Sequence, residues 1–422
     1  MKKILILSAS PQRDAVVDSL LAEHLRKMGN KVWVRKCLRE GRQSVLKFQP
    51  DVCVVPPVRN PYAADFAEQL KKWGIAVASR HTEASCDWKD FRSITEKERT
   101  HILSQVRYQV DVELVWGREE AEILTKRKGC TFKVVPCGSF MTDIYKQRSF
   151  EKKFLTRQEF CRKLNLAEDK KTILVGAPWG FVDMAPDLVI DEMRTFASEE
   201  KLRECHIAMI RILKAAVKGR MNILVRPHPG VDVKPYRDAL DVGIDNQSSA
   251  TEALLNCDYL IHGGSTMAVE MHLLNKPAFR FIDHDAPEKA DEDWWWTRNT
   301  PLNRVSPTYD NAYSLIRAII TAKPKSNANL KTIERLEKGR FGLMDGRATQ
   351  RAANIINQLK GKFTLCWPEA HKNYGTEFVH RSPIDVLHRG WCNICKKEFY
   401  IDKSYEKESV NCPWCASRIY RK

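Results

Sequence analysis

The chain has 422 residues, 43% of them hydrophobic and 29% charged, with 70 Lys and Arg against 53 Asp and Glu for a net charge of +17. That length exceeds what one ordinary core fills, so two or more domains are expected. No apolar run approaches the roughly 20 residues that span a bilayer. The positive surplus would attract polyanions such as nucleic acid, anionic lipid headgroups or phosphorylated substrates, without choosing among them.

At the N-terminus, Lys2 and Lys3 precede an apolar run that ends at Leu7. It is too short for the core of a signal peptide and reads as a first buried strand, so a cytoplasmic location is expected. Asp14–Met28 has helical periodicity and stops at Gly29, a natural C-cap. Strands are expected at Lys31–Val34, Asp51–Val55 and Ile75–Ala78, with a helix at Tyr62–Trp73, and further strands at Val110–Trp116 and Phe132–Pro136. Repeated strand–helix–strand units imply a parallel sheet covered on both faces.

A charged helical stretch from about Tyr145 to Lys170 reads as a connector, after which the pattern restarts. Strands are expected at Thr172–Val175, Asn222–Val225, Tyr259–Ile261 and Ala278–Ile282, with helices at His206–Val217 and Met267–Leu274. Helices over Asp310–Thr321 and Leu330–Leu359 are expected to close this second unit. The expected organisation is α/β: two Rossmann-like doubly wound domains, residues 1–150 and 171–360, and a small C-terminal unit at 386–422. A tandem of this kind places a cleft between the carboxyl ends of the two sheets.

Nine of the 13 cysteines are scattered singly and read as reduced thiols. The other four form two pairs, Cys392 with Cys395 and Cys412 with Cys415, separated by sixteen residues. Two such knuckles supply four thiolates for a tetrahedral structural Zn²⁺, a zinc ribbon. The unit is too small to bury a core of its own, so metal would be its main stabiliser. Four thiolates leave no open coordination position, and the metal is assigned no catalytic part. Whether the ribbon docks a protein, binds nucleic acid or packs on the main body is left open.

Two loops could carry chemistry. After the strand ending at Val225, Arg226-Pro-His228-Pro-Gly230 forms a proline-stiffened turn at a strand's carboxyl end. A guanidinium and an imidazole there can hold phosphate oxygens and neutralise charge on a nucleotide leaving group. A lone His is more often a satisfied structural residue, but the rigid turn at this position favours a ligand role. One unit later, His262-Gly263-Gly264-Ser265-Thr266 leads into a helix carrying Glu270. Backbone N–H groups and two hydroxyls could bind an anion, and Glu270 could accept hydrogen bonds from ribose. A plain glycine turn with a hydroxyl cap is the bland counterpart. Gly176, in Gly176-Ala-Pro-Trp-Gly180 after the unit's first strand, is a further candidate for lining the cleft.

Arg226-Pro-His228-Pro229, Ser265-Thr266 with Glu270, and Asn275-Lys-Pro277 together resemble bacterial surface-carbohydrate and capsule glycosyltransferases of GT-B fold. These include relatives of polysialyltransferases, Kdo transferases and the polyol-phosphate transferases of teichoic acid synthesis. The resemblance covers about residues 1–360. It implies that the two loops bind the donor's nucleotide phosphates and that an acidic residue after an N-terminal-domain strand is the general base. Arg80-His-Thr-Glu83-Ala84 resembles that setting, with Ala in place of the family's Gly, which makes Glu83 the candidate base.

The expectation is therefore an inverting transferase that moves a sugar from a nucleotide-sugar donor to a glycan or lipid-linked acceptor. Glu83 would deprotonate the acceptor while Arg226, His228, Ser265 and Thr266 stabilise the departing phosphate, with no catalytic metal. The basic surface suits peripheral contact with the inner membrane. The alternative donor is a CDP-linked polyol. A sugar-nucleotide 2-epimerase would need more acidic cleft residues. A nucleic-acid-binding protein is disfavoured because Lys and Arg are spread along the chain. Asp283-His-Asp285 imitates a metal-binding motif of a different transferase fold. Trp294-Trp-Trp296 suits sugar stacking, a membrane surface or burial equally.

Overall fold

A computed structural model describes residues 1–8, 11–58, 61–81, 109–125, 130–147, 152–176, 196–227, 234–282 and 304–364, together with the strands at 387–392, 397–402, 409–411 and 418–420. Two six-stranded parallel sheets dominate it. The first holds β1 Lys3–Ser8, β2 Lys31–Lys36, β3 Val52–Val55, β4 Ala76–Arg80, β5 Val112–Val115 and β6 Lys133–Pro136, in the order β2-β1-β3-β4-β5-β6. The second holds β7 Thr172–Gly176, β8 Asn222–Arg226, β9 Gly243–Ile244, β10 Tyr259–His262, β11 Ala278–Phe281 and β12 Thr308–Tyr309, in the order β12-β11-β10-β7-β8-β9. In the second sheet the order reverses beside β7, between β8 and β10, the switch point at whose carboxyl ends doubly wound folds place their ligand crevice.

The strands are near-continuous apolar runs because both faces are covered: β3 and β10 are buried throughout. Helices α1 Pro11–Lys27, α2 Cys37–Phe48 and α3 Pro61–Lys72 connect the first strands. Helix α1 closes at Gly29, whose φ of +83° is the left-handed conformation a C-cap needs. Helices α4 Arg118–Thr125, α5 Phe140–Lys146 and α6 Arg157–Lys163 lead to the second sheet. The stretch read as a charged connector thus begins inside a buried helix, since Phe140, Met141, Thr142, Asp143, Ile144 and Tyr145 of α5 are all buried. The second sheet carries α7 Phe196–Val217, α8 Lys234–Ala239, α9 Ala250–Asn256, α10 Met267–Leu273 and α11 Ala312–Thr321.

The C-terminal helices depart from the expected division at residue 360. Leu330–Leu359 is not one helix but two, α12 Leu330–Lys338 and α13 Ala348–Gln358, separated by a turn containing Gly342 and Gly346 at positive φ. Helix α13 packs on α1 of the first unit. Lys2 Nζ donates to the carbonyl of Leu359 at 2.8 Å, and the amides of Lys362 and Thr364 donate to Gly74 and Trp73. The chain therefore returns to the first sheet after finishing the second. One hydrophobic core joins the units, running from Ile4, Ile6 and Val54 through Phe140, Ala352 and Ile356 to Leu174, Leu260 and Val269. At the C-terminus, Leu387–Cys392 pairs antiparallel with Lys397–Asp402, and Ser409–Asn411 with Arg418–Tyr420.

Candidate active site

The switch point of the second sheet brings together Gly176, Arg226, the Gly263–Thr266 turn and Glu270, residues expected on the donor side. Strand β7 ends at Gly176, which pairs in register with Arg226 at the end of β8. A methyl group on Gly176 would come within 2.9 Å of the Met267 side chain, so the start of α10 lies close over the strand end. Gly263, Gly264, Ser265 and Thr266 form a half-exposed lip between β10 and α10, and a Cβ added to Gly263 would meet no atom within 4 Å. The Arg280 guanidinium fixes this lip from below, its Nε donating to the Gly263 carbonyl at 3.1 Å. Ser265 Oγ accepts from the Met267 amide at 3.2 Å, whereas the Thr266 side chain makes no capping bond.

Arg226 and Glu270 are less open than a sequence reading expects. Arg226 is 7% exposed, and its Nη1 lies 2.8 Å from Asp245 Oδ2. Asp245 is itself fully buried and also accepts from the amides of Gln247 and Ser248. One edge of the guanidinium is therefore committed to a carboxylate behind the strands. Glu270 is 2% exposed and accepts a hydrogen bond from the Tyr145 hydroxyl on α5. Burial pushes its carboxyl up to about 7, against the opposing pull of Tyr145 and Arg226. Behind the lip, Ser306 Oγ stands 3.1 Å from His262 Nε2 and 3.2 Å from His272 Nε2. Burial, with Arg280 and His272 nearby, drives His262 down to about 3, so both its position and its neutrality are structural.

At the carboxyl edge of the first sheet sits a charged cluster that sequence reasoning missed. His81, immediately after β4, has Nδ1 2.6 Å from Glu120 Oε1 and Nε2 2.6 Å from Glu113 Oε1, all three groups buried. Next to it, Arg80 pairs with the buried Asp18 of α1. The one available signal was Glu113, a lone acid inside an apolar strand; nothing local pointed to His81 as its partner, and Tyr145 and Asp245 gave no signal at all.

Glu83 and His228 lie outside the described residues, as do Asp283–Asp285 and Trp294–Trp296. So do Cys395, Cys412 and Cys415; Cys392 closes the strand Leu387–Cys392 opposite Lys397. Among the described residues no group of His, Cys, Asp or Glu is arranged to hold a metal, and no helix is long and apolar enough to cross a membrane.

Two doubly wound parallel sheets joined through a shared core, with a switch point in the second, define a GT-B-like architecture. Solved structures of the wall teichoic acid polymerase TagF share it. One aligns with 15% identity and a TM-score of 0.52 over 85% of this chain and 89% of that one. A variant of the same enzyme gives 16% identity and a TM-score of 0.51 over 85% and 88%. A variant soaked with CDPG gives 15% and 0.50 over 84% and 88%. At these identities the likeness speaks for the fold. No curated protein matches the chain in sequence. Residues 76–358 match the profile of the CDP-Glycerol:Poly(glycerophosphate) glycerophosphotransferase family, and the chain belongs to that family. The match favours the CDP-linked polyol over the nucleotide sugar as donor.

Proposed function

We propose that the chain transfers a polyol phosphate from a CDP-activated donor to a hydroxyl of a glycan or polyol-phosphate acceptor. The observation that carries this reading is the family match, which spans the last three strands of the first sheet, the whole second sheet and the crevice. In the reaction, the acceptor oxygen forms a bond to the donor's distal phosphorus as the pyrophosphate P–O bond breaks, and CMP leaves with the electron pair. Glu83, three residues beyond the end of β4, takes the acceptor proton. His228 and the Gly263–Thr266 lip hold the leaving phosphate, with the positive charge of Arg226 behind them. Glu270 accepts from the ribose. No catalytic metal enters this scheme, and the four C-terminal cysteines hold a structural Zn²⁺, a role supported by the sequence spacing of the two Cys-x-x-Cys pairs.

The acceptor is held at an anionic membrane surface. Residues 311–333 contain no Asp or Glu but carry Arg317, Lys323, Lys325 and Lys331. Tyr313, Ile320 and Leu330 are 72%, 47% and 77% exposed among them. Such a strip combines apolar insertion with attraction to anionic lipid.

The test is a thermal-shift panel of CMP, CDP, UDP and GDP followed by a transfer assay with CDP-glycerol and UDP-sugars. Cytidine nucleotides should raise the melting temperature and CDP-glycerol should be consumed with CMP release. Stabilisation by UDP alone, with UDP-sugar turnover, would return the chain to sugar transfer. Binding of nucleic acid with steep salt dependence, and of no nucleotide, would end the transferase reading.

A further inference from the structure

Helix α5 belongs mechanically to the C-terminal return of the chain. Just ahead of it, the Cys137 carbonyl accepts from Arg351 Nε at 2.7 Å. In its middle, Asp143 accepts from the amides of Ala348 at 3.0 Å and Thr349 at 2.6 Å, and from the Thr349 hydroxyl at 2.6 Å. At its end, Gln147 Nε2 donates to the Gly346 carbonyl at 2.9 Å. Asp143 thereby serves as the N-terminal cap of α13, whose own N-cap residue, Arg347, makes no side-chain cap bond. Helix α13 in turn lies on α1 of the first unit.

From this anchored helix Tyr145 reaches the other way. Its hydroxyl donates to Glu270 of α10 and lies 3.4 Å from Thr251 Oγ1 of α9. Tyr145 is 8% exposed and Glu270 2%, so this is a buried hydrogen bond between the donor crevice and the element that caps α13. A carboxylate with one oxygen held by a fixed phenol has its remaining lone pairs aimed by that contact.

We propose that Tyr145 is a positioning residue of the donor site: its hydroxyl orients the Glu270 carboxylate toward a nucleotide ribose and relays occupation of the crevice to the start of α13. The inference rests on Glu270 being the ribose acceptor of the proposed reaction. The charged groups around Glu270 are Arg226 and, behind it, Asp245. The Tyr145 hydrogen bond favours the ionised carboxylate, so its loss raises the pH at which Glu270 takes up a proton.

The experiment uses the full chain and CDP as the probe, with Tyr145→Phe and Glu270→Gln. Calorimetry from pH 6 to 9 should show Tyr145→Phe binding CDP roughly tenfold more weakly, the worth of one hydrogen bond to a charged group. The acid limb of its affinity profile should move to higher pH. In the wild type, CDP should slow hydrogen exchange at the Ala348 and Thr349 amides, and in Tyr145→Phe it should not. If Tyr145→Phe melts well below the wild type, Thr251→Val, which trims the other neighbour of the same hydroxyl, is read instead and should give a smaller loss in the same direction. Wild-type affinity and pH profile in these variants, with CDP binding weakened by Glu270→Gln, would overturn the role of Tyr145 alone. CDP affinity unchanged in Glu270→Gln as well would remove Glu270 from the donor site.

Discussion

The buried His81 cluster yields a prediction that can be worked through from its geometry. Each ring nitrogen stands 2.6 Å from a carboxylate oxygen, of Glu120 on one side and Glu113 on the other. A neutral imidazole has one N–H and could donate to only one of them; the imidazolium donates to both. Burial opposes the charge, but the two carboxylates outweigh it and carry His81 from 6.5 up to about 9. At about 1.4 kcal/mol for each tenfold gain in proton affinity, the bound proton stabilises the fold by about 3 kcal/mol. Because the folded-state value is the higher one, this stabilisation is complete below pH 6.5 and is lost as pH rises through about 9. His81→Gln should lower stability by about 3 kcal/mol at pH 6, since it removes the bound proton that both buried carboxylates hold. Urea denaturation of both proteins between pH 6 and 9.5 should show the difference shrinking as the pH rises. The His81 imidazole, followed by NMR, should stay protonated through pH 8. A resonance that titrates near 6.5, or two stability curves that run parallel, would refute the clamp.

The other predictions concern the proposed donor loop, the proposed base and the C-terminal cysteines. Arg226→Ala should cost about 3–5 kcal/mol in stability as well as CDP affinity, because it strands the buried Asp245 charge; a variant that binds CDP weakly but melts like the wild type would show that the pair does not matter to the fold. His228→Ala should weaken CDP binding in calorimetry without lowering the melting temperature, and unchanged affinity would remove it from the phosphate site. Glu83→Gln should keep CDP affinity while turnover falls by roughly 10²–10⁴-fold, the usual worth of a positioned base; near-normal turnover would redirect the search to other acids. Protein purified without chelators should contain one zinc per chain by elemental analysis, and Cys392→Ser with Cys412→Ser should lose it.

Much of the fold was legible because parallel strands buried on both faces are unbroken apolar runs. Lys3–Leu7, Asp51–Val55 and Asn222–Val225 stand out on that ground alone, and the structure places strands over each. Helix α2 was not read, since its opening turn, Cys37-Leu-Arg-Glu-Gly41, carries charge and a glycine where periodicity should start. Strands β9 and β12 are two residues each, too short for any pattern. The return of α13 to the first sheet could not be read either. It is secured by contacts such as Asn30 with Asn357 and Asp143 with Thr349, whose partners lie hundreds of positions apart. At the site, the loops at Arg226 and Gly263 were visible through glycine and proline. What the sequence could not show was whether Arg226 and Glu270 face a ligand or one another's surroundings.

That last distinction bears on how the rim of each sheet is built. On the first, Arg80 is paired with Asp18 and His81 with Glu113 and Glu120. On the second, Arg226 is paired with Asp245, and Glu270 with Tyr145. The strand ends at Arg80 and Arg226, His81 just after β4, and Glu270 in the first turn of α10 therefore carry buried ionisable side chains already held by fixed partners. Such groups are costly to leave uncompensated and are held rigidly when paired. Their fields reach the crevice without requiring them to move when a ligand arrives, which is the condition for stabilising charge that develops on a leaving phosphate. Beside the ribose contact of Glu270, the half-exposed lip, Gly263 to Thr266, then makes the phosphate contacts that form and break with each ligand. On this division of labour, removing a paired rim group should damage both fold and affinity, whereas trimming the lip, as in Ser265→Ala, should change affinity alone. Calorimetry and melting curves on Arg226→Ala and Ser265→Ala, taken side by side, decide it: equal losses of stability in the two variants would contradict it.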